Sequence, residues 1–331
     1  MENWEGTGKR IKKYRSKSGY SQLMFNKELI WKEIEQCGLK KEIKIDELMK
    51  YHTSWKIGGI ADFFCIPTDE EGLKKVIFFA SKHELPIYII GNGSNIWVPD
   101  EGIRGLVVKL SGTLDKIEYS GKMIKAGAGI LLAALVRKTV EKGLSGLEFA
   151  AHIPGTLGGA IFNNASFGNK SIADIVHKIV VLDYNDNIIE IDRDQSIFFY
   201  RGVDLGIEKV IIVATYLEMV KETKDEIISR IKYFYNQRKM SQPTEYLTAG
   251  CVFKNTEKQP AGFLIEKSGA KGLSIGDAQV SEKHANFIIN RGKATSKDIL
   301  LLIEEVEKRV EKTFGIILEK EIDMIGLNND Q

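Results

Sequence analysis

A short apolar strand, Ile87 to Ile90, empties into Gly91-Asn92-Gly93-Ser94-Asn95, and the chain runs extended again through Ile96-Trp97-Val98. Small residues between two extended segments can present consecutive backbone N–H groups to an anion, with no cationic side chain needed. The dinucleotide turn of a doubly wound fold has a different signature: glycines spaced G-x-G-x-x-G with a helix directly after them. Here Ile96 stands where the third glycine belongs, and the following chain is not helical. The loop therefore reads as a nest for phosphate, and the missing third glycine counts against a Rossmann turn.

A second candidate, Gly127-Ala128-Gly129, follows a strand at Met123 to Ala126 and precedes an apolar helix from about Ile130 to Lys142. Leu132 takes its third glycine position, so it fails the same test. Further on, Ile153-Pro154-Gly155-Thr156-Leu157-Gly158-Gly159 removes side chains where a flat ring could lie against backbone. Either loop alone reads better as a tight turn. Two of them, some sixty residues apart and each beside strands, suit a long ligand such as FAD.

The remaining pattern mixes helices and strands without strict alternation, which argues for an α+β fold. Glu28 to Gln36 reads as a short helix, and the first strand falls near Ala61 to Ile66. Thr68 with Glu71 suggests a capping box for a helix to about Lys82. A glycine- and asparagine-rich stretch covers 155 to 168. Strands resume at Lys178 to Asp183, Ile188 to Ile191 and Val210 to Glu218, followed by a polar-faced helix from Lys224 to Arg238. Thr295 and Asp298 form a second capping box before a helix with apolar Ile299, Leu302, Ile303, Val306 and Val310.

With 47 basic against 45 acidic residues, the net charge of +2 gives no electrostatic case for nucleic acid or a membrane surface. Lys9, Arg10, Lys12, Lys13, Arg15 and Lys17 form a local exception, expected to be a solvated, flexible tail over 1–26. No apolar run has the length of a signal peptide or a membrane span. The three cysteines, Cys37, Cys65 and Cys251, make neither a metal pattern nor a disulfide framework, which suits a reducing cytoplasm. No metal site is expected.

In order along the chain, several stretches resemble the UDP-N-acetylenolpyruvoylglucosamine reductase family. They are Thr53-Ser54-Trp55-Lys56-Ile57-Gly58-Gly59, Gly93-Ser94-Asn95, Gly146-Leu147-Glu148-Phe149, Ile153-Pro154-Gly155-Thr156, Tyr200-Arg201, Gln242-Pro243, 249–255, 280–287 and Glu321. The resemblance covers about 53 to 326 and is closest to the compact type, which lacks a tyrosine-bearing insertion. It implies the vanillyl-alcohol-oxidase type of FAD-binding fold, two α+β subdomains over 27–222, with a smaller α+β substrate domain over 223–331. It further implies FAD as cofactor, NADPH as hydride donor, and UDP-N-acetylglucosamine enolpyruvate as substrate of a monomeric enzyme.

Residue by residue, the resemblance assigns FAD to Thr53, Ser54, Gly91, Asn92, Gly93, Ser94, Asn95, Ile153, Pro154, Gly155, Thr156, Gly158, Gly159 and Asn164. Arg201 resembles the family's arginine beside the substrate carboxylate, where a bidentate guanidinium suits a planar anion. Glu321 aligns with the glutamate at the same oxygens, although alone it reads as a surface carboxylate. Cys251 stands where the family usually has the proton-donating serine. A free thiol, with a pKa of about 8.5, is a far stronger acid than an alcohol, and an exposed thiolate would be open to alkylation. By itself Cys251 reads as a buried structural cysteine.

Lys239, Lys254, Asn255 and His284 are the candidates for the sugar nucleotide. Lys239 reads equally as part of a charged run and His284 as an interior histidine. Other departures from the family pattern are His152 before Ile153, and Gly202-Val203 after Arg201, where a serine is often found. Three further readings stay open: a reductase of another unsaturated sugar nucleotide, an idle flavin-binding module, and a Rossmann dehydrogenase.

Overall fold

A computed structural model describes residues 26–326. The expected basic tail lies outside the described residues, apart from Asn26, whose side chain caps helix α1 (Lys27–Gln36) by accepting from the Leu29 N–H. Strands Ile43–Leu48, Ile60–Cys65, Ile103–Lys109 and Ile87–Ile90 form a first sheet in that order. The outer pair is antiparallel and the other two pairs are parallel. Ile43–Leu48, not Ile60–Cys65, is therefore the first strand. Its IKIDEL sequence carries charges on an edge strand, which masks it from an apolar-run criterion. Helix α2 (Glu70–Lys82) packs on this sheet, and its cap is Asp69, not Thr68: the Asp69 carboxylate accepts from the Gly72 N–H at 2.8 Å.

The second sheet is antiparallel throughout, in the order Ile188–Asp192, Val176–Asp183, Val210–Glu218, Met123–Gly127 and Ile117–Ser120. Its strands alternate as a sheet buried on both faces must. Val180, Leu182, Ile211 and Val213 point to the first sheet and α2, while Ile179, Val181 and Ile212 point the other way. That second face is covered by α3 (Leu132–Glu141) and by α4 (Leu157–Phe162), a helical turn inside the stretch expected to be loop.

Helix α5 (Lys224–Ser241) also belongs to this side. Ile227 is buried, and Ile231 and Phe234 pack on the same core. Arg230 on its outer flank reaches Glu148 at 2.9 Å, and pairs with Glu222 as well. A boundary at 223 places α5 with the C-terminal unit, whereas its packed face lies on the second subdomain.

Helices α6 (Ala261–Lys267) and α7 (Ser296–Phe314) enclose the C-terminal core with a small antiparallel sheet, Ser274–Ile275, Ala278–Val280 and Ile288–Asn290. The expected Thr295–Asp298 capping box is present, and all five expected apolar positions of α7 are buried. Trp55, Ile57 and Trp97 of the first subdomain are built into this core. Trp55 Nε1 donates to the Ile288 carbonyl at 2.8 Å and Trp97 Nε1 to the Ser296 carbonyl at 2.9 Å. Strand Asp323–Met324 returns to lie parallel to Ile96–Trp97. Among the described residues, no helix is long and apolar enough to cross a membrane.

Candidate active site

A cleft of about 1120 Å³ opens where the three parts meet. That exceeds the ~300–1,000 Å³ usual for a small-ligand pocket, so it has room for more than one small molecule. The first glycine loop lines one wall. Gly93 has φ +67, and a Cβ there would stand 1.9 Å from the His52 carbonyl oxygen, so only glycine lets the loop turn this tightly. Ser54 N–H donates to the Gly93 carbonyl at 2.9 Å, and Thr53 braces the loop from behind through Ile57.

Asn92 Nδ2 donates to the Pro154 carbonyl at 3.1 Å, which brings the second glycine loop against the first. Among the described residues, the backbone N–H groups of Asn92, Gly93, Ser94 and Asn95 donate to no protein acceptor. Such a set of free donors beside a cleft fits the pyrophosphate of FAD. Gly155 leaves its nearest neighbour, Ser94 Oγ, 3.6 Å from where a Cβ would be, so the backbone there is open to a flat ring. The residues present therefore fit FAD.

The catalytic candidates converge on the same cleft. Arg201 Nε lies 2.8 Å from Glu321 Oε1, and Arg201 Nη1 donates to Ser166 Oγ at 2.9 Å. Burial raises the Glu321 carboxyl above its ordinary value, and Arg201 pulls it part of the way back. Cys251 is bridged to Phe287 through the backbone and shares the cleft with both. Burial and the nearby Glu321 push its thiol up to about 12, against the pull of Arg201 and Arg238. The concern about an exposed thiolate is thereby corrected, because this thiol stays protonated at neutral pH and can donate its proton.

Of the residues singled out from the sequence, Ser54, Gly91 to Asn95, Ile153 to Thr156, Gly158, Gly159, Arg201, Cys251 and Glu321 line the cleft. Six others do not. Thr53 is buried behind the first loop. Asn164 reaches instead to the Phe199 carbonyl. Lys239 is exposed near the Tyr235 ring. Lys254 pairs with Glu319 at 2.7 Å. Asn255 Oδ1 accepts from the Ala261 N–H at the start of α6. His284 accepts from Asn286 N–H and packs edge-on to Phe287, in keeping with its reading as an interior histidine.

Arg238, Ser166 and Tyr246 line the cleft and were not singled out. Helical phase would have found Arg238. Ile227, Ile231, Phe234 and Arg238 recur at steps of four, three and four, which is one face of α5, and Lys239 lies off it. Burial lowers the Arg238 guanidinium from its ordinary value. His152 stacks obliquely on Tyr235 of α5, with ring centres 4.7 Å apart, and still borders the cleft.

A nest of free backbone donors, a ring-sized opening beside it and a titratable trio beyond make this an α+β flavoprotein, and residues 61–192 match the FAD binding domain model. Residues 242–325 match the model of the UDP-N-acetylenolpyruvoylglucosamine reductase C-terminal domain. The chain is 43% identical over 291 residues to the UDP-N-acetylenolpyruvoylglucosamine reductase of Desulforamulus reducens, covering 88% of this chain and 96% of that one. It is 39% identical over 287 residues to that of Clostridioides difficile, covering 87% and 94%. The crystal structure of the Thermus caldophilus reductase (MurB) superposes with a TM-score of 0.74 at 34% identity, covering 86% of this chain and 99% of that one. This chain belongs to the UDP-N-acetylenolpyruvoylglucosamine reductase family.

Proposed function

We infer that the chain catalyses the NADPH-driven, FAD-dependent reduction of UDP-N-acetylglucosamine enolpyruvate to UDP-N-acetylmuramate, a step in peptidoglycan precursor synthesis. The observation that carries this reading is the meeting of Arg201, Glu321 and Cys251 in one cleft beside the glycine loops. An idle binding module has no use for that trio. We assign FAD to the two glycine loops, with residues 27–222 as its domain. The substrate is assigned to the C-terminal wall of the cleft, at Gln242, Tyr246 and Cys251. Since one chain supplies all three catalytic side chains, we expect a monomer. Its nucleotide substrates support a cytoplasmic location.

When bound, FAD supplies the hydride for the distal carbon of the enolpyruvyl double bond. As that C–H bond forms, the π pair of the double bond moves toward the adjacent carboxylate, where negative charge builds. Arg201 lies where a guanidinium would meet those oxygens, and one well-placed donor to such a charge is worth ~3 kcal/mol of barrier. Glu321, whose carboxyl is raised by burial and drawn partly back by Arg201, is the second polar group assigned to those oxygens. The Cys251 S–H then gives its proton to the carbon bearing the carboxylate, leaving a thiolate that water reprotonates.

The test is anaerobic. Cys251→Ala is expected to bleach with NADPH as wild type does but to lose reoxidation by the enolpyruvyl sugar nucleotide, while Cys251→Ser keeps substantial activity. Reoxidation of Cys251→Ala at wild-type speed would remove Cys251 from the role of donor. A wild type that bleaches and is not reoxidised would point to a reductase of a different unsaturated sugar nucleotide.

A further inference from the structure

Arg201 sits at the tip of a two-residue β-hairpin. Strand Ile197–Phe199 pairs with Gly202–Asp204, Phe199 opposite Gly202, so Tyr200 and Arg201 alone make the turn. Arg201 has φ +60. This is a left-handed position that favours glycine in hairpin turns, and a long side chain keeps it only where its surroundings hold it. Tyr200 is half exposed, and its hydroxyl accepts from the Asn255 N–H at 3.2 Å.

Two further holding contacts come from the turn after α4. Asn164 is itself left-handed, at φ +41, and ends that helix: the Ala165 N–H reaches back to the Ala160 carbonyl at 2.8 Å. This geometry turns the Asn164 side chain away from the helix, and its Nδ2 donates to the Phe199 carbonyl at 2.9 Å. Two residues on, Ser166 Oγ accepts from Arg201 Nη1 at 2.9 Å. One contact fixes the backbone just before the tip and the other fixes the guanidinium.

We propose that Asn164 and Ser166 are positioning residues that clamp the 199–202 hairpin and so hold the Arg201 guanidinium in the cleft beside Glu321. The proposal deepens the assigned reaction and rests on the role given there to Arg201. It also moves Asn164 from cofactor contact to support of a catalytic side chain.

Asn164→Gly keeps the left-handed backbone and removes the side chain that carries the amide; Ser166→Ala removes only the hydroxyl. In flavin-loaded enzyme, both are expected to retain flavin and to bleach with NADPH. Reoxidation by the enolpyruvyl sugar nucleotide should fall roughly ten-fold in Ser166→Ala, the scale of one lost hydrogen bond to a charged group, and about five-fold in Asn164→Gly, whose lost bond is to a neutral carbonyl. Ser166→Thr, which keeps a hydroxyl, should recover most of it. Because Arg201 pulls the Glu321 carboxyl down, loosening the clamp should let that carboxyl titrate at higher pH, read by carbon NMR of labelled enzyme. An unchanged reoxidation rate and an unmoved Glu321 titration would overturn the clamp. Loss of flavin from Asn164→Gly would also overturn it, in favour of a cofactor contact. The titration does not depend on turnover, so it decides the clamp even if wild type is not reoxidised and the assigned reaction fails.

Discussion

Three cysteines that look alike in the sequence differ in chemistry once folded. Cys37 is exposed, Cys65 is buried, and Cys251 borders the cleft. Burial, with Glu42 adding to it, pushes the Cys65 thiol up to about 12, and burial with Glu321 does the same for Cys251. Both stay neutral well above the pH at which a free thiol ionises. Iodoacetamide at pH 8 is therefore expected to label Cys37 and to leave Cys65 and Cys251 unmodified, as read by peptide mass spectrometry. Labelling of Cys251 should rise only as the pH approaches 12. Full labelling of Cys251 at pH 8 would mean that the cleft does not suppress its ionisation. That Cys251 is a candidate for the proton donor was legible from its flanking motif; its raised pKa was not, because burial comes from the fold and Glu321 lies seventy positions away along the chain.

At the scale of the element, the two glycine loops carry opposite constraints. Gly93→Ala must place a methyl group against the His52 carbonyl in a left-handed backbone. It should cost more than about 2 kcal/mol in chemical denaturation. Gly155→Ala has room for its methyl group and no positive φ, so its stability should stay within about 0.5 kcal/mol of wild type. Its effect should appear instead as weaker flavin retention, because the added group borders the cleft. Equal stability loss in both variants would show that the second loop is only a tight turn. The first loop was readable because strands flank it, and the second by its run of small residues. Helix α4 was not: Leu157-Gly158-Gly159 has poor helix propensity, and the Thr156 cap accepting from Gly159 N–H, together with burial of Leu157, Ala160 and Ile161, forms it nonetheless.

In the whole molecule, α5 joins the cofactor side to the C-terminal unit, and Arg230 fastens it. Burial alone would raise the Glu148 carboxyl, but its own backbone N–H, Arg230, the Gly146 N–H and Ser145 together hold it below its ordinary 4.5. A carboxyl lowered on folding stabilises above its unfolded pKa, and that contribution is lost as the pH falls through the lower folded value. Arg230→Met should cost about 2 kcal/mol at pH 7, less than a fully buried pair because the Arg230 side chain is 41% exposed. Denaturation midpoints of wild type and variant should converge as the pH drops below 4.5. A constant gap down to pH 3 would assign the loss to packing instead. What the sequence by itself determined was the α+β class of the fold, the two glycine loops, and Arg201, Cys251 and Glu321 as candidates for the reacting side chains, since each shows in residue patterns along the chain. Only the tertiary structure decided which side chains face the cleft. Lys239, Lys254, Asn255 and His284 are not among the lining side chains, while Arg238 and Ser166 are, because facing is set by helix phase and by contacts between segments far apart in the chain.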